Sequence, residues 1–194
     1  MKRACAVLLA LLLGFCLLAG CGSSESEAKT RFNQGMDARD AKNFEAALEA
    51  FNEAITLDPA YADAYFYRGR VQGELKNYMD ELADYDKAIE LDPSHADAYF
   101  WRGSFYDDVE EYDLALADYD KAAELLPDDA ATLVMRALVY KNMEQYSEAV
   151  ADYSKAIALD PAYASAYKGR ASVYLLLGEK ALAEADYAKA AALE

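Results

Sequence analysis

Chemistry-bearing side chains are scarce in this 194-residue chain. It has one histidine, His95, and its three cysteines, Cys5, Cys16 and Cys21, all fall within the first 21 residues. Catalysis or metal binding through imidazole or thiolate has almost no material to work with, so neither an enzyme nor a cofactor is expected. Val, Ile and Thr together number only 13, against 40 alanines. Strand formers are rare and helix formers abundant, and an all-α chain follows. Basic residues are few as well, 19 Lys and Arg against 35 Asp and Glu, a net charge of −16. Nucleic acid is therefore not an expected partner, because phosphate contacts need clustered Lys and Arg. What the chain does have is apolar material, 55% hydrophobic and 12% aromatic. That supplies a core and argues against disorder along most of the length.

The N-terminus reads as an address. Met1-Lys2-Arg3 is a short basic start, followed from Ala4 to Ala19 by a run without charge or strong polarity. The run is shorter than the roughly 20 residues a spanning helix needs, so residues 1–20 read as a signal peptide. Leu18-Ala19-Gly20-Cys21 ends it with small residues before a cysteine. This resembles the lipobox of bacterial lipoproteins, and the resemblance implies lipidation of Cys21 and cleavage before it. An uncleaved anchor, or an ordinary secretory signal with an incidental Cys21, is the alternative. Gly22-Ser23-Ser24-Glu25-Ser26-Glu27 is small and polar, so residues 21–27 read as the lipidated Cys and a flexible tether that keeps the folded part close to a membrane. Gly22 is not the Asp that favours inner-membrane retention in enterobacterial lipoproteins. With two membranes in the source, the outer one facing the periplasm is expected; with one, its outer face.

Proline placement reveals a repeat. The only four are Pro59, Pro93, Pro127 and Pro161, each 34 residues after the last. Small residues recur at the same period at Gly35, Gly69, Gly103, Ala137 and Ala171, and aromatic ones at Phe51, Tyr85, Tyr119, Tyr153 and Tyr187. Each repeat reads as two helices. A small residue on the first lets the second approach, the aromatic fills the space beside that contact, and proline ends the second helix.

These columns closely resemble the tetratricopeptide repeat family over residues 28–194, as five repeats: 28–61, 62–95, 96–129, 130–163 and 164–194. The resemblance implies a right-handed superhelical solenoid of five helix-turn-helix repeats. Glu81 departs from it, standing where Ala47, Ala115, Ala149 and Ala183 occupy a tightly packed column. Gly69 and Gly73 would make room for its stem, with the carboxylate pointing out. Arg68, Arg102, Arg136 and Arg170 form one further column and Asp84, Asp118, Asp152 and Asp186 another, both missing from repeat 1. An Arg–Asp ion pair between the helices of one repeat is inferred. Asp pairing with Lys87, Lys121, Lys155 and Lys189, three residues on, competes with it.

In this family the first helices line a concave groove that takes a partner's peptide or helix. The expected groove residues here are Phe66, Tyr67, Arg70, Phe100, Trp101, Val134 and Met135, with Arg70 a candidate for an acidic or backbone contact. Trp and Tyr are common binding anchors. Packing between adjacent helices is the competing use of these side chains. The Lys, Asn and Arg of repeats that clamp chaperone carboxylate tails are absent; Phe32, Met36, Tyr67, Asp97 and Trp101 stand there instead. Asp107, Asp108, Glu110, Glu111 and Asp113 read as a solvated acidic turn. Leu175 and Leu176 replace mostly polar residues and suggest an end contact with a partner or a second copy. The expected function is a membrane-anchored adaptor in the cell envelope that binds protein segments. The alternative, by resemblance, is a pilotin-like assembly factor for an outer-membrane secretin or envelope complex.

Overall fold

The computed structural model describes residues 24–194. The expected signal peptide and Cys21 lie outside the described residues. Ten helices and no strand occur among the described residues, so the chain is all-α. It divides after Pro93 into two compact units. The first holds α1 (24–40), α2 (Phe44–Leu57), α3 (Ala62–Glu74) and α4 (Tyr78–Leu91). The second holds α5 (Ala96–Asp108), α6 (Tyr112–Leu125), α7 (Ala130–Asn142), α8 (Tyr146–Leu159), α9 (Ala164–Leu176) and α10 (Lys180–Ala191).

One boundary differs from expectation. α1 already includes residues 24–27, which were expected to belong to the tether. Ser and Glu suit a helix start, where carboxylates meet the positive end of the helix dipole. Thr30 Oγ1 donates to the Ser26 carbonyl, and Glu27 lies one turn from Arg31 at 3.9 Å.

The turns inside the repeats share a conformation that the prolines do not reveal. Lys42, Lys76, Glu110, Glu144 and Gly178 all have φ between 58° and 81°. In each, the amide of the next residue closes a bond to the carbonyl five residues back, as in Gln145 N to Tyr140 O at 2.8 Å and Glu179 N to Tyr174 O at 2.8 Å. This is the Schellman ending of a helix, and only the last repeat uses glycine for it. Between repeats the chain is extended at Asp58 and Asp160, whose Oδ1 atoms accept from Ala60 N and Ala162 N at 3.0 and 2.9 Å.

Packing follows the small-and-aromatic columns. A Cβ built at Gly69 would lie 3.1 Å from Tyr85, and one at Gly103 would lie 3.2 Å from Tyr119, so these helices meet at backbone distance. Phe51, Tyr85 and Tyr119 are fully buried and Tyr153 is nearly so; each such ring stabilises the fold by about 1.5–3 kcal/mol. Tyr187 breaks the pattern at 41% exposed. Its counterparts Tyr119 and Tyr153 are sealed by residues of α7 and α9, and α10 has no such cover among the described residues. Glu81 also differs from expectation: its carboxylate stays between α3 and α4, accepting from Tyr85 Oη at 3.0 Å and resting against Gly73.

The Arg and Asp columns are joined. Arg68–Asp84, Arg102–Asp118, Arg136–Asp152 and Arg170–Asp186 each form two parallel hydrogen bonds of 2.6–2.8 Å. Two of the competing lysines turn the other way, Lys87 to Glu90 and Lys121 to Glu124. Several of these arginines also reach back one repeat: Arg68 Nη1 to Asn52 at 2.6 Å, Arg136 Nη1 to Asp120 at 2.7 Å and Arg170 Nη1 to Ser154 at 2.9 Å. One guanidinium thus ties three helices. Repeat 1 is wired differently, with Arg31 on α1 pairing with Glu53 on α2 at 3.1 Å. That explains why Glu53 stands where the other repeats have lysine.

Candidate functional site

In the first unit the expected groove residues are largely consumed by packing. Phe66 is only 2% exposed and lies against Tyr67 and Tyr85, with ring centroids 4.9 and 6.0 Å away. It is a core residue, which corrects its place among partner-facing ones. Tyr67 is half-buried between Phe32 and Phe51, and the Arg39 guanidinium sits 4.8 Å above its ring. Arg70 lines an open cleft of about 500 Å³ with Arg39, Asp40, Lys42, Phe44 and Glu74. Burial pushes its guanidinium below the ordinary value, with Tyr85 and Glu74 opposing and Arg39 adding to the shift. Three cations in one cleft are notable in so acidic a chain, but Asp40 holds Arg39 at 2.7 Å.

The second unit keeps an apolar opening. Ala96, Asp97, Phe100 and Trp101 of α5, Ala122 of α6, the turn Leu126–Asp129, and Ala131 and Thr132 of α7 line a cleft of about 510 Å³. Phe100 is fixed by Tyr119 behind it, ring centroids 5.7 Å apart, and Trp101 stands edge-on to Phe100 at 5.5 Å. Asp129, on the lining, caps α7, accepting from Thr132 N at 2.9 Å, Ala131 N at 3.4 Å and Thr132 Oγ1. Val134 and Met135, also expected in the groove, pack half-buried against Leu133 and against Val139. Neither lines the cleft.

Sequence reasoning placed Phe100 and Trp101 here but missed Leu126, Asp129 and Thr132. The signal was available in the repeat columns. Leu126 stands where Asp58, Asp92 and Asp160 occur, and Asp129 where Tyr61, His95 and Tyr163 occur.

Leu175 and Leu176 are 49% and 58% exposed, and Leu177 beside them is 47% exposed. They form an apolar edge at the end of α9, away from the cleft residues in sequence. Within the acidic turn of repeat 3, burial pushes the Asp107 carboxyl above its ordinary range, with Asp108 adding to it.

Helix pairs repeating every 34 residues, with helices tied by Arg–Asp clips and first helices bearing aromatic side chains, define a repeat scaffold. Residues 32–93 and 84–117 match family models described as tetratricopeptide repeat, and residues 137–178 match one described as TPR repeat. These segments are tetratricopeptide repeats, and the fold is a tetratricopeptide solenoid. No curated protein matches the chain. Among solved structures, pilF of Pseudomonas aeruginosa aligns with a TM-score of 0.81 and 20% identity over 89% of this chain and 78% of its own. MamA from Desulfovibrio magneticus RS-1 aligns at 0.79 and 22%, over 86% and 94%. YrrB, described as a TPR protein with an unusual peptide-binding site, aligns at 0.72 and 22%, over 84% of each chain. At such identities the likeness establishes the fold alone.

Proposed function

We propose that this protein is a lipid-anchored docking scaffold of the bacterial cell envelope, not an enzyme, that binds a protein segment on the first helices of its second unit. The observation that carries the reading is the open apolar cleft beside Phe100 and Trp101. A partly exposed Trp beside a preformed cleft is the kind of anchor around which binding energy concentrates. The peptide-binding site ascribed to YrrB is in keeping with such a use of the fold. The lipobox-like Leu18-Ala19-Gly20-Cys21 supports acylation at Cys21, with residence in an outer membrane where the cell has two. Two or three acyl chains anchor durably, since each buried methylene contributes roughly 0.8 kcal/mol. Anchoring near the partner raises its effective concentration. The exposed Leu175 and Leu176 offer a second contact, to a partner or another copy.

Crosslinking in native envelopes, with the parent chain beside a Trp101→Ala variant of equal helical content, tests this reading. The parent captures a specific partner and the variant loses most of it. Equal capture by both removes the cleft from the account. Trp101 is a better target than Phe100, whose ring packs against buried Tyr119 and whose truncation would disturb the fold. The pilotin-like alternative makes a different demand: an unlipidated Cys21→Ser chain that restores the cellular phenotype would remove it.

A further inference from the structure

The cleft in the second unit exists because two repeat columns change together. In repeat 1 the residue just before the next first helix is Tyr61, whose ring lies against Phe32 with centroids 4.9 Å apart. Phe32 is the counterpart of Phe100, two repeats earlier. In repeat 4 the same position is Tyr163, which, like Val134, packs half-buried against the core cluster that includes Leu133. A tyrosine of the chain thus packs against the core at this position in both repeats. In repeat 3 the position is Asp129, whose short side chain turns back to cap α7 and leaves the wall of Phe100 and Trp101 open. Three residues earlier, Leu126 replaces the aspartate of the other repeats and is 48% exposed on the lining. The change gives up a turn-capping carboxylate and adds an apolar wall.

We infer that this cleft takes an aromatic side chain from a partner peptide, flanked by lysine or arginine. The ring replaces the tyrosine that repeats 1 and 4 supply from their own chain. The basic flank follows from charge: Asp97 and Asp128 are exposed on the same lining, and no Lys or Arg is among the lining residues. Aromatic contact and cation–carboxylate contact then occur side by side, which sets the register of an extended peptide. This assignment deepens the docking-scaffold reading and rests on it.

Trp101 is the chain's single tryptophan, so its emission reports on the cleft directly. The full chain in detergent micelles is titrated with the capped peptide Gly-Lys-Phe-Lys-Gly and with two controls, one with Ala for Phe and one with Glu for both Lys. The Lys-Phe-Lys peptide is expected to give a saturable change, and each control to bind at least tenfold more weakly. Asp129→Tyr, which restores the filler used in repeats 1 and 4, removes the response. Leu126→Asp, which restores the residue of the other repeats and leaves Asp129 in place, weakens it at least fivefold. Equal binding of the Phe and Ala peptides, no binding of any peptide, or parent-like titration of a folded Asp129→Tyr chain overturns the assignment. Should the peptides fail while Trp101→Ala still loses the crosslinked envelope partner, the scaffold function stands and the aromatic assignment alone falls.

Discussion

Arg136 donates from Nε and Nη2 to Asp152 in its own repeat and from Nη1 to Asp120 in the preceding one, at 2.6–2.8 Å. These contacts, the hydrogen bond to Asp152 first, hold its guanidinium above the ordinary value. Asp152 is 8% exposed, so it depends on this partner for the solvation it has lost. Arg136→Ala is expected to cost about 3–5 kcal/mol, because it leaves a buried carboxylate alone. The double variant Arg136→Met, Asp152→Leu costs much less. Urea unfolding of Arg136→Met, Asp152→Leu and their double variant in a double-mutant cycle checks the coupling. The exposed pair Lys121–Glu124 is the control, worth no more than about 1 kcal/mol.

Two glycines in first helices behave oppositely. A Cβ at Gly169 would lie 2.4 Å from the Tyr153 ring, whereas one at Gly73 would meet only the end of the Glu81 side chain. Gly169→Ala forces a packed ring to move and is expected to destabilise by about 1–3 kcal/mol. Gly73→Ala falls near neutrality, since the roughly 1 kcal/mol gained in helix propensity offsets a shift of one flexible carboxylate. Urea midpoints distinguish them.

The left-handed turn residues offer a gain. Glu144 has φ of 61°, in the same turn that Gly178 occupies without strain. Glu144→Gly is expected to raise stability by up to about 1 kcal/mol. A lowered melting temperature would show that the Glu144 side chain contributes more than its backbone strain costs.

Alkaline pH should unfold the chain through its buried phenols. Burial pushes Tyr153 up to about 12, with Asp107 adding to it, and pushes Tyr85 and Tyr119 upward as well. A raised folded-state value means the neutral phenol is favoured in the native protein. Its stabilisation is complete below pH 10, the unfolded value, and is lost as pH rises towards 12. For Tyr153 alone this amounts to roughly 2–3 kcal/mol. Absorbance at 295 nm should show these buried phenols ionising only as helical content falls.

Much of the scaffold was legible because each feature repeats. Period-34 prolines, the Gly and aromatic columns and the Arg–Asp pairing all carried over, since the same physical demand recurs at each repeat. The left-handed turn positions were not legible: Lys, Lys, Glu, Glu and Gly share a conformation without sharing a side chain. Phe66 and Phe100 look alike in sequence, yet one is core and the other lines a cleft. The difference lies in neighbours such as Leu126 and Asp129, whose departures acquire meaning only once the cleft they line is seen.

The most direct test of the account places a photo-crosslinking benzoylphenylalanine at position 101, beside the cleft, or at position 117, exposed on α6. Irradiated in native envelopes, the chain labelled at 101 should join one discrete partner that is lost from the 117 chain. Equal crosslinking at both positions, or crosslinking only at 117, would contradict docking on the first helices of the second unit.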